Sequence, residues 1–327
     1  MIVAQDGSGD FQTVQAAIDA VPADHAERMV IQIKNGLYRE KLRIEKPLIT
    51  LVGESAAGTV LTYDDAAKKL LPNGETMNTF NSYTAYIGGP DFRAENITFE
   101  NAAGDGRKVG QALALYADAD RAVFRNCRFL GCQDTIFNGP LPKYPTPKGL
   151  NLIHPTLGLA ETEYPGTLRQ YFEDCYIEGD IDFIFGSATV VFNRCEIFVN
   201  DRKEPVNGYI TAGSQSTWLP YGHVFLDCRL TSRAAAHSVY LGRPWRDHAK
   251  AAFINCWMGE HIHPAGWHNW DQPHREQTVS YLEYRSHGPG ANDAARVSWS
   301  RILTETEAKA YTVANVLAGS DGWNPAK

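Results

Sequence analysis

No run of apolar residues in this 327-residue chain is long enough to cross a bilayer as a helix. The opening MIVAQDGSGDF has neither the basic start nor the apolar core of a secretory signal. Basic residues are in the minority, 31 against 38 acidic, and the net charge of −7 gives no global pull toward nucleic acid. Cysteine is sparse, and none of the six residues (127, 132, 175, 195, 228 and 256) forms a C-x-x-C pair. The ten histidines contain no H-E-x-x-H pattern, and the acids are nowhere dense enough for a calcium cage. His154, His248 and His263 read as loop or surface residues. No metal and no cofactor are expected. What remains is the composition of a globular protein, 43% hydrophobic and 21% charged. No domain boundary is visible, so 1–327 reads as one domain, with a Pro- and Gly-rich loop insertion at about 138–168.

The cysteines do have a pattern. Their neighbourhoods read FRNCRF from Phe124, FEDCYI from Phe172, FNRCEI from Phe192, FLDCRL from Phe225 and FINCWM from Phe253. An earlier relative, ENITF, ends at Phe99. The five cysteines so placed are 48, 20, 33 and 28 residues apart, an irregular period that marks a stacked solenoid with loops of variable length. Each unit reads as strand, tight turn, strand, because Asn or Asp before Cys tolerates left-handed backbone angles. Cys and the apolar residue two later face inward. No unit can bury its inner face alone, so coils must stack, and a right-handed parallel β-helix, an all-β fold, is expected. Core packing is the favoured reading of the cysteines, ahead of disulfides. At the N-terminus Phe11, Val14, Ala17, Ile18 and Val21 fall at helical spacing, with Asp10 or Thr13 as N-cap and Pro22 as stop. This helix is expected to cap the open end of the solenoid. TETEAKAYTVANVLAG predicts a helical tail up to Gly319.

Two carboxylates share one register. Asp134 lies seven residues after Cys127, and Asp182 lies seven after Cys175. Both should occupy one structural column, about 4.8 Å apart on neighbouring coils. Later coils break the column, with Arg202, Ala235 and His263 at the same offset. Asp182 sits inside the apolar run GDIDFIFG, where an ionised carboxylate costs several kcal/mol unless partners satisfy it. Two close carboxyls cannot both ionise cheaply, so one pKa should rise. That pairs a proton donor with a charged nucleophile. Two turn aspartates binding backbone amides is the competing reading.

At this point the chain resembles a family, the pectin methylesterases, carbohydrate esterases built on a right-handed β-helix. The resemblance runs from IVAQDGSGDFQTVQAAIDAVP through FRAENITFENAAG, GQALAL, GCQDTIF and GDIDFIFGSA to YLGRPW, over most of residues 2–270. It implies that Asp182 is the nucleophile and Asp134 the general acid and base. It implies that Gln111 and Gln133 stabilise the oxyanion, that Arg243 orients and charges Asp182, and that Trp245, with Phe185, contacts the sugar. Its substrate would be methyl-esterified homogalacturonan, with water as co-substrate. Neither nucleic acid nor membrane is implied as a partner, and a monomer is expected. Because pectin lies outside the cell, the resemblance implies a secreted or periplasmic protein. Arg243 is expected to lower the pKa of Asp182 while Asp134 stays protonated.

Each residue also has a blander reading: surface amides for the glutamines, packing for Trp245, a structural ion pair for Arg243. In an ideal strand Gln133 and Asp134 point to opposite faces, so one site using both requires a bend there. The 138–168 insertion and ITAGS at 210–214 depart from the usual family pattern and bear on substrate range. A same-fold esterase for another ester or thioester, a polygalacturonate lyase and a non-catalytic polysaccharide-binding solenoid stay open as alternatives.

Overall fold

The computed structural model describes residues 1–141 and 168–327. The body of the expected loop insertion, with His154, lies outside the described residues. The described residues wind into a parallel β-helix of three sheets with 11, 8 and 7 strands. One full turn shows the logic. Ala122–Arg125 joins the first sheet, Arg128–Leu130 the second and Ile136–Asn138 the third. The next turn repeats this with Arg169–Glu173, Tyr176–Gly179 and Ile181–Gly186. The reading of each unit as two strands was therefore incomplete. The third strand lacks the Phe–Cys signature, and it is the strand that carries the site.

The turn between the first two strands is where the repeat residues act. Asn96, Asn126, Asp174, Asp227 and Asn255 all have φ between 48 and 57°. Short polar side chains tolerate this left-handed geometry by bonding locally. Arg194 and Arg285 adopt it too, at φ 53 and 48°. Arg194 there forms a two-pronged pair with Asp174 on the preceding coil.

The interior is filled by two files of repeat residues. Phe124, Phe172, Phe192, Phe225 and Phe253 stack with successive centroids 4.6, 4.9, 4.7 and 4.3 Å apart. Beside them Cys127, Cys175, Cys195, Cys228 and Cys256 are free and buried. Burial pushes the Cys127 thiol up to about 12, so it is a neutral core filler. Cys132, outside the pattern, is the exception and is half-buried.

The N-terminal end of the solenoid is covered. The N-terminal helix, Val14–Ala20, is capped by Thr13, whose hydroxyl accepts from the Ala16 amide. Its Val14, Ala17 and Ile18 join the main core, which closes that end as expected. The expected C-terminal helix is instead two short ones, Glu305–Ala308 and Val313–Leu317. Thr304 and Glu307 form a capping box on the first, and Thr312 caps the second, so each start is set locally. The tail lies across the outer face of the first sheet, with Val316 and Leu317 against Tyr171, Val191 and Val224. Arg169 fastens it, pairing with Asp120 on one side and Asp321 on the other.

Candidate active site

The third sheet sets the site. Ile136 pairs with Ile184 and Phe137 with Phe185, so Asp134 and Asp182 fall on adjacent rungs, as the register argument required. Both depart from strand geometry, with φ 65° at Asp134 and 51° at Asp182. At Asp134 this breaks the strand alternation, the bend that one site using both Gln133 and Asp134 would require. At Asp182 the pairing steps from Ile181–Tyr209 to Ile184–Thr211, three residues against two. That extra residue is a β-bulge, and it re-aims the carboxylate away from the core.

Arg243 reaches back to Asp182 across the intervening strand Gly208–Gly213. Its Nε donates to Oδ1 at 2.8 Å and its Nη2 to Oδ2 at 2.7 Å, a bidentate pair. The guanidinium is held between two rings, 3.9 Å from the centroid of Tyr209 and 3.7 Å from that of Trp270. Neither aromatic was predicted as part of the site. Tyr209 precedes the conspicuous ITAGS segment, and Trp270 is brought in by a loop with no sequence signature of its own.

The electrostatics separate the two carboxyls. The sequence-based expectation that Arg243 holds the Asp182 pKa below its ordinary value is corrected. Burial outweighs the hydrogen bonds and charge of Arg243, and the Asp182 carboxyl lies above its usual range. Asp134 is raised further, well above that range, by burial first and then by the negative charge of Asp182. Among the described residues the Asp134 carboxyl has no hydrogen-bond partner. Arg243 thus keeps Asp182 the more acidic of the two carboxyls. Burial pulls on Arg243 in the opposite sense, but the bond to Asp182 prevails and its pKa is raised.

Gln111 and Gln133 are half-buried, and Gln133 precedes Asp134 in the chain. They are tied through the backbone, the Ala112 amide donating to the Gln133 carbonyl at 3.1 Å. Among the described residues neither side-chain amide has a hydrogen-bond partner. Both carry N–H donors unspent.

The floor of the site is aromatic. Register aligns Tyr86, Tyr116, Phe137, Phe185, Ala212 and Arg243 in one outward row. The small Ala212 interrupts the aromatics where Arg243 must pass. Trp245 is half-buried and stands edge-on to Phe185, centroids 5.7 Å apart. Phe185 itself is only 3% exposed, so it supports Trp245 and the floor while Trp245 offers the accessible ring. Phe80, also unpredicted, backs Trp245 at 6.4 Å. His263 stacks on Tyr240 at 4.4 Å, away from any ligand-like set. Among the described residues no three His, Cys, Asp or Glu side chains are grouped to hold a metal.

The pectinesterase family model matches residues 1–141 and 155–320. Pectinesterase 31 of Arabidopsis thaliana is 39% identical over 313 residues, covering 94% of this chain and 88% of its own length. Some longer plant relatives are spanned only by about half, as with 48% of putative pectinesterase/pectinesterase inhibitor 45. Among solved structures, pectin methylesterase from carrot superposes with a TM-score of 0.78 at 32% identity, covering 97% of this chain and 92% of that one. A pectin methylesterase in complex with a hexasaccharide gives 0.79 at 30% identity, over 99% and 97%. Fold and likeness together define a carboxylic ester hydrolase on a parallel β-helix. The chain belongs to the pectinesterase family.

Proposed function

We propose that this enzyme hydrolyses the methyl esters of homogalacturonan, yielding pectate and methanol, with Asp182 as nucleophile and Asp134 as general acid and base. The observation that carries the reading is the asymmetry of two buried carboxyls on adjacent rungs, only one of which is paired with an arginine. Asp182, ionised and aimed by Arg243, adds to the ester carbonyl. The developing oxyanion accepts from the free amides of Gln111 and Gln133, neutral donors that do not quench the nearby nucleophile. Methoxide leaves only when protonated, and Asp134 supplies the proton. The C–O bond to methanol breaks and an acyl–Asp182 anhydride remains. Asp134, now a carboxylate, takes a proton from water, and the resulting hydroxide attacks the anhydride. Asp182 departs as a carboxylate, Asp134 is protonated again, and the product carboxyl ionises to the solvent.

Trp245 offers a flat face to the sugar ring, on the aromatic row that runs along the coils. Successive rungs advance about 4.8 Å, which suits an extended polysaccharide lying along the solenoid axis. The hexasaccharide-bound relative supports a polymeric ligand. Every assigned residue comes from one chain, and we read the acting unit as a monomer. A secreted or periplasmic location follows from a substrate outside the cell.

The test is methanol release from highly methylated pectin by wild type and Asp182→Asn, both with EDTA present. Release by wild type alone, with the variant folded, is the expected result. Equal release by both removes Asp182 from the mechanism.

A further inference from the structure

We propose that Tyr209 is a positioning residue: its ring fixes the guanidinium of Arg243 and, through it, aims the Asp182 carboxylate. The inference rests on the reading of Asp182 as nucleophile and adds a residue that this reading does not use. It starts from two columns on the outer face of the third sheet. The aromatic row places Phe137, Phe185, Ala212 and Arg243 on successive rungs. Three residues before each of them stand Asp134, Asp182, Tyr209 and Tyr240. Tyr209 therefore takes the place after Asp182 in the carboxylate column. The count from cysteine puts Arg202 there. The corner between Val199 and Gly208 is longer than its counterpart between Gly179 and Ile181, however, and pairing brings in Tyr209 instead. Arg243 is anchored two rungs beyond Asp182, about 9.6 Å along the axis. Its side chain has to cross the rung of Tyr209 to make the bidentate pair.

A side chain that long loses its aim unless its torsions are held. Here the restraint is aromatic. The guanidinium lies 3.9 Å from the centroid of Tyr209 and 3.7 Å from that of Trp270. Rings against its faces leave the N–H edge free for the in-plane bonds to Asp182. The Tyr209 ring is itself fixed. It is buried, stacks on Tyr240 with centroids 5.5 Å apart and planes 12° off parallel, and stands edge-to-face with His268 at 5.7 Å. Tyr240 in turn stacks on His263. His268 joins the two walls of the clamp, because its Nδ1 accepts from the Trp270 amide at 3.0 Å. Burial lowers the pKa of His268, which keeps that nitrogen available as an acceptor. Arg243 is the group that opposes burial at Asp182, so whatever fixes the guanidinium acts on both the ionisation and the direction of the carboxylate.

The experiment records pH profiles of kcat and kcat/KM for methanol release from highly methylated pectin, with thermal melting of each variant alongside. Wild type, Tyr209→Phe, Tyr209→Leu and Asp182→Asn are compared. Tyr176→Leu is the control, a ring stacked on Phe198 in the second sheet. Tyr209→Leu should lower kcat about tenfold with KM unchanged, the worth of a desolvated cation–π contact. It should also move the acid limb of kcat/KM up by about half a pH unit or more. Tyr209→Phe keeps the ring and should restore both, and Tyr176→Leu should change neither. A Tyr209→Leu protein that melts lower but keeps the wild-type kcat and acid limb makes Tyr209 a packing residue and overturns the inference. So does a Tyr209→Phe protein as impaired as Tyr209→Leu. If Tyr209→Leu does not fold, Tyr240→Leu, which removes the backing of Tyr209, should show the same changes in smaller degree, and an unmoved profile there overturns it. Asp182→Asn as active as wild type defeats the reading of Asp182, and this inference with it. Inactive Asp182→Asn beside an unaltered Tyr209→Leu overturns this inference alone.

Discussion

Replacing Arg243 by methionine tests the central pair most directly. Methionine keeps the length of the stem but removes the charge and both hydrogen bonds. The Asp182 side chain is 9% exposed and that of Arg243 17%, so neither is rescued by solvent screening. Removing one partner of such a buried pair costs about 3–5 kcal/mol at neutral pH, because the surviving carboxylate is left uncompensated. The sign with pH follows from burial. Asp182 already lies above its ordinary pKa in the folded protein, and without Arg243 only the burial that raises it remains. A carboxyl raised on folding costs stability as pH climbs from the unfolded value of 3.8 through the folded one, so the deficit of Arg243→Met must shrink toward acid. If Asp182 is the nucleophile as proposed, the acid limb of kcat/KM reports its carboxylate and should move to higher pH. On the proposed mechanism activity at neutral pH should drop at least about 100-fold, since the nucleophile loses its aim and ionises less readily. Urea unfolding at several pH values and a pH–rate profile measure these effects. An acid limb in the wild-type position, with residual activity high enough to measure, refutes the claim that Arg243 sets the ionisation of Asp182.

Two further predictions address other buried groups. Asp134→Asn should lower kcat by about 10²–10⁴, the usual worth of the general acid–base role proposed for it, while slightly stabilising the fold at neutral pH. The stability gain follows because Asp134 is raised well above 3.8 by burial and Asp182 and so costs stability above that pH; a loss of stability on thermal melting contradicts it. Among the described residues His223 is fully buried with both ring nitrogens unpartnered, and burial lowers its pKa from 6.5 to about 3. The unfolded chain takes up this proton below 6.5 and the folded one does not, so stability is lost as pH falls. At about pH 4.5 the loss is roughly 2.5–3 kcal/mol. His223→Leu should recover most of it, and an acid-unfolding midpoint unmoved by that substitution counts against the account.

The prediction for His223 shows where sequence reading ends. Nothing in GHVFLDC distinguishes an inward His223 from a surface one until pairing with Val190 and Ala251 places it inside the solenoid. By contrast, the Phe–x–Asn/Asp–Cys repeat specified a great deal. It repeats because every coil faces the same packing problem, one aromatic, one thiol and one left-handed turn, and the stacked phenylalanines and free cysteines answer it. The third strand of each coil escaped notice because it meets a different environment on each turn, floor in one coil and reaction centre in the next. The C-terminal tail was misjudged as one helix because its break depends on Thr304 and Thr312, which cap two short segments against the first sheet.

The sequence by itself determined the solenoid, its stacking register and the alignment of Asp134 with Asp182, because these follow from a local repeat whose offsets can be counted. The tertiary structure decided the rest. The left-handed turn at Asp134 and the bulge at Asp182 aim both carboxyls outward, and they arise from pairing between coils that no single segment encodes. Arg243 meets Asp182 across an intervening strand, between rings from positions 209 and 270. Burial raises both carboxyls and the Arg243 pair sets their order, and both exist only once the coils have closed over one another.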